Sequence, residues 1–175
     1  RDGFIQLEGS EGAQATTPPS LLSLTGALTI DGSGALFVLD GAAASVAGTA
    51  TVGAASKGNS GIVVKGIGGL NGTGLIAGAL VVGGTEKKAL GQLFLLDGKV
   101  QAGSVHIRPL GRVFGDGEII LTGAGPTAVF RNEGVVSAEN ETGGITIVGE
   151  FDLEATGRLE FPYAATDAKD VAPLE

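Results

Sequence analysis

The stretch Gly34-Ala-Leu-Phe-Val-Leu-Asp-Gly41 returns later in the chain as Gly91-Gln-Leu-Phe-Leu-Leu-Asp-Gly98. Two further segments repeat in the same order, and the members of the three pairs lie 57, 52 and 55 residues apart. The further pairs are residues 26–30 with 78–82 and residues 47–52 with 102–107. Ordered repeats with insertions between them are typical of stacked coils. We therefore interpret the spacing near 55 residues as two or three turns of a β-solenoid.

The composition indicates the same class of fold. Of the 175 residues, 32 are Gly and 43% are hydrophobic. A helical bundle is excluded because Gly costs about 1 kcal/mol relative to Ala at each helix position. Short apolar runs bounded by Gly, Asp, Asn or Ser predict many short strands joined by tight turns. The apolar runs are residues 28–30, 36–39, 62–64, 75–82, 93–96, 105–107, 119–121, 135–136, 145–148 and 158–161.

We predict an all-β fold, a right-handed parallel β-helix in which aliphatic side chains fill the interior and Gly residues mark the bends. The alternative is a β-sandwich, which needs alternating strands at a spacing of about 8–12 residues. The ordered repeat favours the β-solenoid. Both predictions are all-β, so they differ in how the strands pair.

The pattern divides the chain into three parts. Residues 1–20 contain a short strand at 4–7 and a loop with two Pro residues, and residues 21–161 form the solenoid. Residues 162–175 lose the pattern and are interpreted as a C-terminal tail. The chain opens with Arg1 and shows no signal sequence, which suggests a piece of a longer protein.

Four phrases in the second half carry a family resemblance. They are Gly111-Arg-Val-Phe-Gly-Asp-Gly-Glu-Ile119, Asn132-Glu-Gly-Val-Val136, Gly144-Ile-Thr-Ile-Val-Gly-Glu-Phe151 and Gly157-Arg-Leu-Glu-Phe161. In these phrases the chain resembles the glycine-rich parallel β-helix domains of exported bacterial proteins, such as autotransporter passengers and surface adhesins. The resemblance implies an extracellular or cell-surface location. It implies coil geometry more directly than any activity.

The charge and the residue types limit which classes of partner the chain is expected to bind. With 19 acidic against 11 basic residues, the net charge of −8 disfavours nucleic acid. The chain has no Cys, so it has neither disulfides nor thiolate metal sites. The uncharged stretch 66–85 contains eight Gly, and we expect no membrane insertion from it. The expected partners are surface glycans or proteins. Self-association through the coil ends is also expected.

Few residues are candidates for a catalytic or metal-binding role. His106 is the sole histidine and stands between two inward-facing candidates, so it is expected to point outward as an ordinary strand residue. Asp116 and Glu118 are two apart and would share a face of a strand, where carboxylates could bind Ca²⁺ or transfer protons. Asp40 and Asp97 occupy equivalent repeat positions before Gly, which indicates turn chemistry. We therefore predict no catalytic, cofactor-binding or metal-binding residue and no cofactor.

Three functions follow from these observations. The leading hypothesis is a noncatalytic segment of an exported protein that acts as a rigid stalk or surface-binding element. The second is a polysaccharide-active or phage tailspike-type β-helix, motivated by Asp116 and Glu118. The third is a subunit of a self-assembling extracellular filament.

Overall fold

The computed structural model describes residues 4–8, 20–39, 42–53, 58–66, 74–84, 89–138 and 144–161. These residues contain no helix and form fifteen β-strands, so the all-β prediction is confirmed. The strands are β1 (Phe4–Glu8), β2 (Leu21–Leu24), β3 (Leu28–Ile30), β4 (Ala35–Leu39), β5 (Ala43–Val52), β6 (Gly58–Lys65), β7 (Leu75–Val82), β8 (Ala89–Ala102), β9 (Val105–Ile107), β10 (Gly111–Leu121), β11 (Val129–Asn132), β12 (Val135–Ala138), β13 (Ile145–Val148), β14 (Glu150–Leu153) and β15 (Arg158–Glu160).

The strands pair in three parallel ladders. Ladder 1 joins β2, the first part of β5, the first part of β7, the second part of β8, the second part of β10, and β13. Ladder 2 joins β3, the second parts of β5 and β7, β9, β11 and β14. Ladder 3 joins β1, β4, β6, the first parts of β8 and β10, β12 and β15.

The chain visits ladders 1, 2 and 3 in turn and then returns to ladder 1 one strand further along. We call each passage a circuit. The six circuits are residues 21–39, 43–65, 75–96, 98–116, 117–138 and 145–160. This arrangement is consistent with a β-solenoid. The alternative β-sandwich is wrong, because its strands would pair antiparallel and every pairing among the described residues is parallel.

The sequence repeat corresponds to two circuits. Leu36 pairs with Ile62, and Ile62 pairs with Leu93. In the same way Phe37 pairs with Val63, and Val63 pairs with Phe94. The segments around Gly34 and Gly91 therefore occupy the same columns of ladder 3, two circuits apart. The spacing near 55 residues is the length of two circuits together with their connections.

Burial alternates along the strands, because neighbouring side chains of a strand point to opposite faces. In β4 the buried residues are Leu36 and Val38, and in β9 they are Val105 and Ile107. The inward positions of the three ladders meet in one cluster of aliphatic residues that runs through the circuits, with Phe130 as its largest fully buried side chain. The interior is thus continuous from circuit to circuit.

Gly111 shows why glycine marks the bend before ladder 3. A Cβ atom at Gly111 would overlap the carbonyl oxygen of Val82 in the circuit below. The equivalent Gly91, Gly134 and Gly157 also lie against backbone of a neighbouring circuit. Here circuits approach too closely for any side chain, so the glycines are required by packing.

Candidate functional site

His106 lies on the outer face of ladder 2, as the sequence predicts. Its neighbours Val105 and Ile107 are buried, while its own side chain is 34% exposed. Nε2 lies 3.2 Å from Oε1 of Glu133, yet this buried nitrogen makes no hydrogen bond, so the contact is an ion-pair distance without hydrogen-bond geometry. Within the described part of the chain no hydrogen bond joins Ser104 to His106 either. The arrangement lacks the nucleophile–base bond of a catalytic triad.

Charged side chains continue along the same outer column. Arg131 follows His106 in the ladder, and Asp152 follows Arg131. Nε of Arg131 lies 3.5 Å from Oδ2 of Asp152 and 3.3 Å from Oε1 of Glu154. Because these side chains are 40–50% exposed, each pair contributes less than about 1 kcal/mol to stability. Their main effect is to shape the surface.

A shallow cavity of about 290 Å³ lies beside this column. Its polar lining comes from Ser104, His106, Thr127 and Arg131, and Pro126 and Val129 contribute apolar surface. The chain between β10 and β11 forms one side of it. Hydroxyl, imidazole and guanidinium groups on one concave surface suit a small polar group such as part of a sugar.

Asp116 and Glu118 do not share a face, so this premise of the carboxylate hypothesis is wrong. Asp116 pairs with Leu96 in ladder 3, whereas Glu118 pairs with Lys99 in ladder 1, and the register shifts between Asp116 and Gly117. The two carboxylates stand on either side of a bend. The bend arises because β10 runs through two ladders, which the residue spacing alone does not reveal. Glu118 forms an ion pair with Lys99 at 3.0 Å.

The two repeated Asp-Gly pairs have different outcomes. Asp40 lies outside the described residues. Asp97 has a φ of 51°, a left-handed conformation that Asp tolerates better than most residues. Lys65 pairs with both Leu96 and Asp97, so Asp97 is the additional residue of a bulge where β8 leaves ladder 3. This geometry agrees with a role in bending the chain.

Asn132 is a structural polar site to which the sequence interpretation assigned no role. It is fully buried in an inner column that otherwise holds aliphatic residues, between Ile107 and Leu153. Its Nδ2 donates to the carbonyl oxygen of Arg158 at 3.1 Å, and its Oδ1 accepts from the backbone N–H of Gly134 at 3.0 Å. The sequence signal for this role was the phrase Asn132-Glu-Gly134. A buried Asn needs hydrogen-bond partners, and the backbone at a bend can supply them.

The C-terminal circuit ends in open apolar surface. A cavity of about 300 Å³ is lined by Val136, Ala138, Ile145, Ile147, Phe151, Leu159 and Phe161. Exposure reaches 48% at Leu153, 41% at Leu159 and 74% at Phe161. Leu153 and Leu159 are inward positions of the last circuit, and they are exposed because no described strand lies beyond them.

No group of three or more His, Cys, Asp or Glu side chains among the described residues is arranged to hold a metal ion. The same part of the chain contains no helix long and apolar enough to cross a membrane. Comparison with protein-family models, curated proteins and solved structures finds no match to this chain.

Proposed function

We propose that this chain is a noncatalytic, right-handed parallel β-helix that serves as a rigid stalk or surface-binding segment of an exported bacterial protein. The observation that carries the proposal is the continuity of the three parallel ladders around one aliphatic interior. Such a body is stiff without disulfides or metal ions, because backbone hydrogen bonds join every circuit to the next.

The bend after ladder 2 illustrates this stiffness. The same backbone hydrogen bond recurs there between successive circuits, at 2.8–3.0 Å. The donors and acceptors are Gly53 to Ile30, Gly83 to Val52, Arg108 to Val82, Glu133 to Ile107 and Glu154 to Asn132. A force along the stack must break such bonds together with the ladder bonds of a whole circuit, which suits a mechanical spacer.

The proposed setting is the cell surface or the extracellular space, with surface glycans or proteins as partners. The cavity at Ser104, His106, Thr127 and Arg131 supports a glycan contact, because it offers donors and acceptors on a concave surface. The acidic balance of the chain supports partners other than nucleic acid.

Single-molecule stretching between the two chain ends tests the mechanical role. We expect stepwise extension, with steps that correspond to the release of single circuits, because each circuit contacts only its neighbours. Extension without resistance would contradict the proposal.

A binding screen on immobilised glycans tests the proposed glycan contact. Thr127→Ala and Arg131→Gln serve as cavity variants, and Glu150→Gln serves as a surface control.

An activity assay tests the noncatalytic part of the proposal. Acidic polysaccharides are incubated with the chain, with and without Ca²⁺, and product size is measured. We expect no depolymerisation. Activity that disappears in Asp116→Asn but persists in Asp152→Asn would contradict the noncatalytic proposal and favour a polysaccharide-active enzyme.

A further inference from the structure

The three ladders have unequal numbers of strands. Among the described residues, ladders 1 and 2 contain six strands each, whereas ladder 3 contains seven. The additional strand is β1, which precedes the first circuit and pairs with β4. β1 therefore covers an edge of the first circuit that the regular succession of circuits would leave open.

At the opposite end of the stack no strand among the described residues covers the last circuit. Within the described ranges β13, β14 and β15 each pair on one side only, with β10, β11 and β12. Apolar side chains of the last circuit, such as Leu153 and Leu159, are 48% and 41% exposed. Unpaired strand edges next to apolar surface favour the addition of further strands.

The first circuit of a second copy has the features needed to cover this end. It presents one strand for each ladder in the same order and direction, so it continues the parallel interface that already joins successive circuits. The inward residues Leu22, Leu24 and Leu28 of that circuit are only partly buried, so apolar surface faces the end there as well. Asp31 is the sole charged residue among the described residues 20–39, so the acidic last circuit meets little repulsion there.

A second copy stacked in register would place its β2 on β13, its β3 on β14 and its β4 on β15. The edge of β4 that β15 needs is the edge that β1 already occupies. We propose that the open C-terminal end binds the first circuit of a second copy, and that β1 blocks this head-to-tail association by competing for β4.

β1 is held weakly enough to be displaced. It is five residues long, and β4 is the one described strand with which it pairs. Its inner residue Ile5 is 46% exposed, and Phe4 is 71% exposed with an edge-on ring contact to Phe37 at 6.4 Å between centroids. Displacement of β1 therefore uncovers β4 while the six circuits keep their own pairings.

Sedimentation of four samples of the 175-residue chain tests the proposal. The first is the native chain, and the second carries Ile5→Asp and Leu7→Asp, which weaken β1. The third carries these changes together with Leu153→Lys and Leu159→Lys, which block the open end at already exposed positions. The fourth is a mixture of the first and third proteins. An Ile5→Gly, Leu7→Gly version repeats the second sample without new charges, and circular dichroism checks the β signal of each.

We expect the native chain to sediment as a monomer. The second sample should form oligomers that grow with concentration beyond roughly twice the monomer mass, because head-to-tail contacts do not close. The third sample should be monomeric. The mixture should form only a dimer, in which the last circuit of a native chain binds the first circuit of a third-sample chain, because the remaining two ends are blocked. The proposal is overturned by assembly of the native chain, by a monomeric second sample, by oligomers that survive the blocked end, or by a mixture without dimers.

Discussion

Leu93 in the third circuit and Leu159 in the sixth occupy the same inner column of ladder 3, yet their environments differ. Leu93 has no exposed surface, whereas Leu159 is 41% exposed. Both follow a Gly by two residues and both point inward. The difference arises because strands flank β8 on both sides, while β15 has a described neighbour on one side alone. Inward orientation is thus local, and burial depends on the next circuit.

The largest loss of stability is expected when Gly111, at the start of a ladder 3 strand between two other circuits, is replaced with Val. Because a Cβ there would overlap the Val82 carbonyl oxygen, we expect a loss of more than about 4 kcal/mol in the free energy of unfolding, or failure to fold. Denaturant titration measures the loss. The matched control is Gly144→Val immediately before the last circuit, where a Cβ meets nothing within 4 Å. Equal losses at the two positions would contradict close circuit packing as the cause.

Truncation of the two leucines tests the comparison directly. Leu93→Ala removes a fully buried side chain and should lower the free energy of unfolding by about 3 kcal/mol. Leu159→Ala should cost less than about 1 kcal/mol, because its side chain is already partly in solvent. Denaturant titration of both variants gives the ratio. A loss at Leu159 as large as that at Leu93 would mean that the last circuit is covered in solution.

The hydrogen bonds of Asn132 attach the last circuit to the fifth. Asn132→Leu keeps the size but removes both bonds, and we expect a loss of about 1–3 kcal/mol. Amide exchange at Gly134 and at Arg158 should accelerate before exchange in the third circuit does. The exposed Asn59 in the second circuit supplies the control Asn59→Leu, which should leave those amides unchanged.

The smallest effect is expected at the surface. Glu133→Gln removes the charge opposite His106, where the two side chains are 29% and 34% exposed. Such a pair contributes less than about 1 kcal/mol, so denaturant titration should show almost no change. Glu150→Gln in the exposed last circuit should behave in the same way. A clearly larger loss at Glu133 would show that the His106 column is part of the stabilising framework.

Much of the strand pattern could be predicted from local sequence. Nine of the ten apolar runs lie entirely in strands, the run 158–161 extends one residue beyond β15, and the strand expected at residues 4–7 is β1. The pattern missed β2, β5, β11 and β14. β5 is rich in small residues, and Ala44 and Ala50 fill two of its four buried positions beside Val46 and Val52, so its aliphatic signal is weak. In β14 charged residues alternate with apolar ones, and in β11 Arg131 and Asn132 follow only two apolar residues, so neither strand shows a continuous apolar run.

The candidate site could be predicted less well. The outward position of His106 followed from simple alternation, but its contact with Glu133 joins residues 27 positions apart in neighbouring circuits. The separation of Asp116 from Glu118 depends on a bend within one continuous strand, where the register shifts. The role of Asn132 depends on Arg158 in the next circuit. In each case the decisive partner is distant in sequence.

The residues alone determined that this chain is all-β, that its circuits repeat and which side chains face inward, because alternation and turn chemistry act over a few neighbouring residues. The tertiary structure decided the rest: which strand lies beside which, which inward residues are buried, which described strands have an unpaired edge, and that β1 covers the edge of β4 in the first circuit. Those properties depend on the length of each connection and on the presence of a neighbouring circuit, and neither is encoded within a single strand.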